Sequence, residues 1–251
     1  MHRFFVDGHC RVGAEIPLLP EEARHAAQVL RLMPGEAVEL LDGQGIFAAV
    51  LAQVDKSQAR ALVSAQLPDR EPRVRVTLFQ GLAKGDKMEG IVRRCTELGV
   101  HAVQPLEMAR CVQRLDAKRA AAQRERWQRI AREATKQCGR AWAPPVYPPV
   151  GLDDRSLAGR WAEQRLILAP WEEAEGGSLR EALAGPAETG GSLRIGLVIG
   201  PEGGIAEGEI ARLHGLGAKI ITLGPRILRT ETAGMAGLAA IMALSGELDN
   251  A

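Results

Sequence analysis

The sequence predicts an α/β protein in which a small, mainly β domain over residues 1–70 precedes an α/β domain over residues 71–251. Short strand-like runs dominate the first part, whereas strand-like runs alternate with helix-length segments in the second. The last three apolar runs, "RLILA", "LRIGLVIG" and "AKIITLG", are continuous. Continuous apolar strands between helices are typical of a parallel sheet that is covered on both faces.

The composition is that of an ordinary globular protein, with 251 residues, 46% hydrophobic and 25% charged. No apolar stretch is long enough to cross a bilayer, and the start lacks the apolar core of a secretory signal. Cys10, Cys95, Cys111 and Cys138 form no C-x-x-C pair, and the five histidines show no metal-ligand spacing. We therefore expect a cytoplasmic protein without a metal or a membrane partner.

The charge distribution is uneven. Residues 70–140 carry 17 Lys/Arg against 8 Asp/Glu, a net charge of +9, although the whole chain carries only +1. A basic middle between acidic ends favours a polyanionic partner such as a nucleic acid. Solvated helix faces would produce the same pattern, so charge alone leaves both readings open.

The first domain is predicted to hold one helix, "PEEARHAAQVLRL" (residues 20–32), because Pro20 suits a first helical turn and Glu21 and Glu22 favour a helix N-terminus. "EAVELL" and "IFAAVLAQV" flank "DGQG", whose Asp-Gly step predicts a β-hairpin. "ARALVSAQ" supplies a further strand. Short strands with few helices favour a small barrel.

The second domain opens with the strand "VRVTLFQ" and the helix "DKMEGIVRRCTELG". Asp86 and Glu89 have the spacing of a capping box, and Gly99 suits a helix C-cap. "VHAVQPL" predicts the next strand, and "KRAAAQRERWQRIAREATKQCGR" predicts a long helix. The apolar stripe of the first helix comprises Met88, Ile91, Val92, Cys95 and Leu98, and that of the long helix comprises Trp127, Ile130, Ala131, Ala134 and Cys138.

Three loops follow the apolar strands: "LAPWEE", "IGPEGG" and "LGPRILRTETAG". Ligands of open α/β sheets lie beyond the carboxyl ends of strands, and glycines there let the backbone approach a ligand. "GPEGG" matches neither G-x-G-x-x-G nor a P-loop, and Glu202 would repel a pyrophosphate. These loops favour a ligand without phosphate. Glu202 either accepts loop N–H groups as a brace or contacts the ligand.

Arg229 and Glu231 lie in a polar loop directly before "AGMAGLAAIMAL", a helix that is apolar nearly all round. Such a helix is buried or lies at a subunit interface. Arg229 is either a surface or ion-paired arginine or a functional one. Its position between a ligand loop and a buried helix favours the functional role.

Taken together, these motifs resemble one family. "VIGPEGGIAEGEI" followed by "LGPRILRTETA" is similar to the signature of the RsmE family, the SPOUT methyltransferases that methylate N3 of a uridine in 16S, small-subunit ribosomal RNA. The resemblance extends to "RFF", "HAAQVLRLMPGE", "KGDKMEGIVRRCTELGV" and "RWQRIAREATKQCGR", and so covers almost the whole chain in order.

The resemblance implies a PUA-like, RNA-binding β-barrel over residues 1–70 and, over residues 71–251, a SPOUT α/β domain with a trefoil knot. It also implies a homodimer that binds S-adenosylmethionine in the knot loops and 16S rRNA as substrate, within the small ribosomal subunit. The cofactor-binding residues it implies are Leu168, Ala169, Pro170, Gly200, Pro201, Glu202, Gly203, Gly204, Leu223, Gly224, Pro225, Ile227, Leu228 and Thr230. "MARC" at 108–111 departs from the commoner serine-containing turn, which weakens an RNA role for Arg110.

For catalysis we expect Arg229 to stabilise the charge that develops on the uracil oxygens, and Glu231, or else Glu202, to accept the N3 proton or to orient Arg229. Phe4, Phe5 and Trp142 are candidate stacking platforms. The expected RNA-binding residues are Arg3, Arg31, Lys84, Lys87, Arg94, Arg129, Arg132 and Arg140.

Two other classes remain open. A non-catalytic RNA-binding protein of ribosome assembly would share the basic segment but would not need intact ligand loops. A nucleotide-dependent oxidoreductase would have α/β loops, but it predicts phosphate-binding glycines that this sequence lacks. Binding of S-adenosylmethionine separates the methyltransferase from both.

Overall fold

The computed structural model describes residues 1–55, 57–184 and 192–249, and it divides into two compact units. The first unit comprises Met1–Glu71 and Arg132–Ala143, and the second comprises Pro72–Ala131 and Pro144–Ala251. The chain first passes from one unit to the other between Glu71 and Pro72. Arg132–Ala143 returns to the first unit, where Ala141 packs with Phe5, Leu41 and Ile46.

The first unit contains a five-stranded sheet. Its elements in chain order are β1 (His2–Phe5), β2 (Glu15–Pro17), α1 (Pro20–Arg24), β3 (Ala37–Leu41), β4 (Ile46–Val54) and β5 (Ala59–Leu67). The strand order is β1-β3-β4-β5-β2, with β1 and β3 parallel and the other pairs antiparallel. The predicted hairpin is β3–β4, and the Asp42 carboxylate sets its turn by accepting the N–H groups of Gln44 and Gly45.

The predicted helix 20–32 is shorter and less regular than expected. Pro20 does open α1, but the α-helical part ends at Arg24 and a π-helical turn follows over His25–Val29. Arg31 then takes a left-handed backbone, with φ of 54°, which ends the helix before Leu32. A hydrophobic periodicity cannot distinguish α from π hydrogen bonding over so short a segment.

The second unit alternates strands and helices as predicted. Its elements are β6 (Arg75–Gly81), α2 (Lys87–Glu97), β7 (Ala102–Glu107), α3 (Ala117–Cys138, shared with the first unit after Ala131), β8 (Val150–Gly151), α4 (Arg155–Ala162), β9 (Leu166–Pro170), α5 (Leu179–Ala184), β10 (Arg194–Ile199), α6 (Glu207–Gly215), β11 (Lys219–Ile221) and α7 (Thr230–Leu244). The six strands are parallel in the order β11-β9-β10-β6-β7-β8.

The apolar stripe of α2 is confirmed, since Met88, Ile91, Val92 and Cys95 are buried. The predicted capping box is wrong: the Asp86 side chain makes no capping hydrogen bond, and the Glu89 carboxylate instead pairs with Arg126 of α3 at 2.6 Å. An ion pair with a distant helix lies outside the local window from which a capping box is predicted.

The apolar helix α7 packs on the parallel sheet. Leu238, Ile241 and Met242 are fully buried, and a Cβ at Gly237 would lie 3.1 Å from the Leu197 side chain in β10. This close approach places the first turn of α7, which carries Thr230 and Glu231, at the carboxyl end of the central strands.

Candidate functional site

A cavity of 360 Å³ lies at the carboxyl ends of β9 and β10, in the second unit. It contains most of the glycine loop (Gly200–Gly204) and a segment we call the RTE segment (Ile227–Glu231). Two larger but more open depressions, of 590 and 720 Å³, lie around Gly177 and His214 and include neither segment. The residues that line the 360 Å³ cavity are Lys87, Pro170, Glu172, Ile199, Gly200, Pro201, Glu202, Gly204, Ile205, Ile227, Leu228, Arg229, Thr230, Glu231 and Ala233.

The glycine loop is tightly packed at its base. A Cβ at Gly81, the last residue of β6, would lie 2.6 Å from the backbone nitrogen of Pro201. A Cβ at Gly200 would lie 2.8 Å from the Ile205 side chain. Neither position can accept a side chain without backbone movement, so both glycines are required for the loop to lie against the sheet.

The outer side of the loop is held by the turn that follows β7. Arg110 Nη1 donates to the Gly203 carbonyl at 3.0 Å, and the Ala109 N–H donates to Glu209 Oε1 at 2.8 Å. Glu209 Oε2 accepts the Ala206 N–H at 3.1 Å, which ties the same turn to the start of α6. Arg110 therefore contacts the glycine loop itself.

Glu202 is a brace in this structure. Its Oε1 accepts the Lys84 N–H and Lys87 Nζ, both at 2.9 Å, so it binds the glycine loop to the start of α2. Partial burial alone would raise the pKa of the Glu202 carboxyl, but the hydrogen bonds from Lys87, Lys84 and its own backbone N–H, with the Lys87 charge, together lower it. The same contact raises the pKa of the Lys87 ammonium.

Glu231 lies in the first turn of α7 and also contacts the Lys87 ammonium. Its Oε2 is 3.6 Å from Lys87 Nζ, and among the described residues this buried oxygen has no hydrogen-bond partner. Arg229 is the N-cap residue of α7. Its side chain is exposed and makes no capping hydrogen bond. A cation and an incompletely bonded carboxylate therefore face one cavity.

The structure brings together most of the predicted site but not all of it. Leu168 and Ala169 are fully buried inside β9, so their side chains belong to the core. Gly203 lies under Arg110, and Leu223, Gly224 and Pro225 lie outside the cavity lining. The lining also includes Glu172 and Ala233, which lie in the quoted loops but outside the predicted cofactor set, and Ile205, which follows the glycine loop.

Several predicted RNA-contacting residues serve other roles. Arg140 is 4% exposed and forms a pair with Glu71 at 2.6 Å, and Arg3 pairs with Glu39 at 2.5 Å. Lys87 faces the cavity. The RNA contact predicted for Arg140 is wrong because its guanidinium is buried and paired, which charge counting cannot reveal. The side chains of Arg3 and Lys87 stay partly exposed, so their RNA contacts remain predictions.

The other predicted RNA contacts are accessible to different degrees. Arg132 lies over the Phe5 ring at 4.6 Å and near Glu21 at 3.7 Å, with part of its side chain exposed. The exposed members of the set are Arg31, Lys84, Arg94 and Arg129. Phe4 and Phe5 are buried, so neither is a stacking platform, whereas Trp142 is 38% exposed.

Within residues 1–55, 57–184 and 192–249, no group of His, Cys, Asp and Glu is arranged to hold a metal ion. The helices of the same ranges include none that is both long and apolar enough to cross a membrane. The four cysteines are free thiols, and burial raises the pKa of Cys95 to about 12.

Comparison with known proteins assigns the class. Residues 70–242 match the family described as RNA methyltransferase domain, and residues 18–64 match the RNA methyltransferase PUA domain. The chain is therefore that of an RNA methyltransferase with an N-terminal RNA methyltransferase PUA domain. The predicted α/β architecture with a parallel sheet is confirmed.

The relatives identify the family. A ribosomal RNA small subunit methyltransferase E of Bacillus subtilis is 36% identical over 249 residues, covering 96% of both chains. A solved protein of that name from Neisseria gonorrhoeae, bound to S-adenosyl methionine, has a TM-score of 0.82, 32% identity and coverage of 97% and 98%. A Legionella pneumophila putative methyltransferase with bound SAM has a TM-score of 0.83, 33% identity and 96% coverage of both chains. The chain belongs to the ribosomal RNA small subunit methyltransferase E family.

Proposed function

We propose that this protein transfers a methyl group from S-adenosylmethionine to N3 of a uridine in 16S ribosomal RNA of the small subunit. The observation that carries the proposal is the cavity in which the glycine loop meets Arg229 and Glu231 at the carboxyl ends of parallel strands. The names of the relatives, which act on small-subunit ribosomal RNA, support the substrate class.

The residues around the cavity fit S-adenosylmethionine. Its lining holds the carboxylates of Glu172, Glu202 and Glu231 against two cations, Lys87 and Arg229. This excess of negative charge suits a ligand with a sulfonium and an ammonium group better than one with phosphates. The glycine loop brings backbone groups to the cavity wall, while Ile205 and Leu228 supply apolar surface. When bound, the cofactor supplies an activated methyl group.

The chain's own residues have the chemistry that uridine N3 requires. N3 keeps its proton at neutral pH, so a base must remove it or a cation must stabilise the charge that develops on O2 and O4. Arg229 supplies the cation, and Glu231 Oε2, which has an open acceptor position, accepts the proton. Lys87 holds Glu231 near the cavity and keeps Glu202 in its bracing position.

The first unit, with the exposed Arg31 and Trp142, is proposed to bind RNA together with the exposed basic residues of α2 and α3.

We further propose a homodimer. α7 keeps a half-exposed apolar face of small residues, which suits a second copy of the chain. Its ribosomal RNA substrate places the protein in the cytoplasm.

The decisive experiment has two readouts. Calorimetry with S-adenosylmethionine tests the cavity, and nucleotide-resolution mapping of methylation on 16S rRNA from cells lacking the protein tests the reaction. The expected result is cofactor binding and the loss of one N3-methyluridine that returns with the wild-type gene. RNA binding without cofactor binding would instead make the protein a non-catalytic assembly factor.

A further inference from the structure

Gln80 is a fully buried polar side chain next to the cavity but outside its lining. It occupies the end of β6, where its register partner in β10 is Ile199, the residue before Gly200. A buried amide in a strand core is costly unless its groups are hydrogen-bonded. Its presence among apolar neighbours therefore requires an explanation.

The amide takes part in a chain of hydrogen bonds between two loops. Gln80 Nε2 donates to Thr230 Oγ1 at 2.9 Å, and Thr230 Oγ1 donates to the Gly200 carbonyl at 2.6 Å. A carbonyl only accepts, so the single hydroxyl hydrogen goes to Gly200 and Gln80 must be the donor to Thr230. The chain joins the glycine loop to the RTE segment through a side chain of β6.

The amide orientation is fixed. The second hydrogen of Nε2 is directed to the Gly81 carbonyl at 3.1 Å, so a flipped amide would place its oxygen against an acceptor. Oε1 has no hydrogen-bond partner among the described residues, and a Cβ at Gly234 would lie 3.1 Å from it. The side chain thus leaves one buried acceptor unpaired while both of its donors bind at the loop junction.

We propose that Gln80 is a positioning residue that couples the glycine loop to the RTE segment through the Thr230 hydroxyl. By this coupling it sets the shape of the cofactor cavity and the placement of Arg229 and Glu231. The inference rests on the assignment of that cavity to S-adenosylmethionine under the proposed function. Gln80 does not line the cavity, so it acts through Thr230 and Gly200 and not by touching the ligand.

The chain supplies a matched control in Gln104 of β7. Gln104 is also fully buried, its Nε2 donates to the Pro105 and Pro148 carbonyls at 2.8 and 2.9 Å, and its Oε1 likewise lacks a partner among the described residues. Neither of its partners lines the cavity. Replacing either glutamine by methionine therefore removes one buried amide from the sheet. Only the replacement of Gln80 breaks the link between the glycine loop and the RTE segment.

The test is calorimetry of S-adenosylmethionine with the full-length wild type and with Gln80→Met, Thr230→Val, the double variant, Thr230→Ser and Gln104→Met. Gln80→Met and Thr230→Val are each expected to weaken binding about tenfold, the scale of one buried hydrogen bond. Because the two side chains belong to one hydrogen-bonded chain, the double variant is expected to be no more than about threefold weaker than either single variant. Thr230→Ser, which keeps the hydroxyl, recovers most of the binding that Thr230→Val loses, and Gln104→Met stays within about twofold of wild type.

Three results would overturn the inference: wild-type binding by Gln80→Met, a double variant about a hundredfold weaker than wild type, or equal losses in Gln104→Met and Gln80→Met. If Gln80→Met does not fold, the comparison of Thr230→Val with Thr230→Ser decides, since equal binding by these two removes the hydroxyl from the argument. A wild-type protein that does not bind S-adenosylmethionine removes the proposed function itself, which distinguishes the two failures.

Discussion

Lys87 Nζ lies 2.9 Å from Glu202 Oε1 and 3.6 Å from Glu231 Oε2, so a single ammonium joins a carboxylate of the glycine loop to one in the first turn of α7. Without it, these two carboxylates would lose the cation that they share. Lys87 is also among the residues expected to contact RNA, because a lysine in a basic segment is usually solvated. As the first residue of α2 it lines the cavity.

Lys87→Met is therefore expected to weaken S-adenosylmethionine binding by roughly tenfold, the scale of one charge-assisted hydrogen bond partly exposed to solvent. The measurement is calorimetric titration at neutral pH. Lys84→Met is the matched control, because Lys84 braces Glu202 only through its backbone N–H, which the substitution retains. Equal affinities of the two variants would show that the Lys87 ammonium does not hold the loops.

The same contact predicts how stability depends on pH. The pKa of Glu202 is lowered from 4.5, so its brace stabilises the folded state above that value and is lost as pH falls through the folded pKa. The pKa of Lys87 is raised from 10.5, so its share is present below 10.5 and is lost at higher pH. Urea unfolding of wild type and Glu202→Gln should show the variant less stable at pH 7, with the gap closing as pH falls below 4.5. A gap of constant size between pH 7 and pH 3.5 would exclude the charged brace.

Arg229→Ala is expected to lower the rate of methyl transfer by about 10²–10³-fold, the usual effect of removing one group that stabilises developing charge. Cofactor affinity should change only a few-fold, since the arginine acts on the uracil oxygens. Arg226→Ala is the control, because Arg226 is an exposed arginine of the same loop that does not line the cavity. Single-turnover assays with small subunits and radiolabelled cofactor give the transfer rates of the two variants. Near-normal transfer by Arg229→Ala would remove it from the mechanism.

Much of this site could be predicted from local sequence. Glycines after a continuous apolar run predict a ligand loop at a strand end. A polar stretch before an apolar helix predicts side chains that face that loop. Gly200, Glu202, Arg229 and Glu231 were found in this way, and the structure places all four at one cavity. Strand alternation likewise predicted the parallel sheet.

The remainder depends on contacts between distant parts of the chain. Gln80 and Thr230 are 150 positions apart, and Lys87 and Glu202 are 115 apart, so no sequence window contains either pair. The failed capping box at Asp86 has the same origin, because Glu89 is drawn to Arg126. Whether a charged side chain is solvated or paired is decided by tertiary structure and not by charge density.

Glu71→Ala is expected to destabilise the first unit by about 3 kcal/mol, because it removes the carboxylate that pairs with a buried guanidinium. Arg140 donates to both oxygens of Glu71, with contacts of 2.6–3.2 Å, and its side chain is 5% exposed. Glu15→Ala, which breaks the exposed pair with Arg60, should cost less than about 1 kcal/mol. Thermal unfolding followed by circular dichroism compares the two. Similar costs would mean that the Arg140 guanidinium is well solvated after the substitution.

Charge reversal of Arg94 and Arg129, exposed on α2 and α3, is expected to weaken binding to small-subunit RNA without changing cofactor affinity. Each phosphate contact adds roughly 0.7–0.9 to the slope of log K against log salt, so the double variant Arg94→Glu, Arg129→Glu should lose about 1.5 from that slope. Arg180→Glu, an exposed arginine of α5 outside the basic segment, controls for net charge. Filter binding between 50 and 200 mM salt, roughly the range over which such contacts are screened, measures the slopes. If Arg180→Glu reduced the slope as much per charge, RNA attraction would depend on net charge and not on this surface.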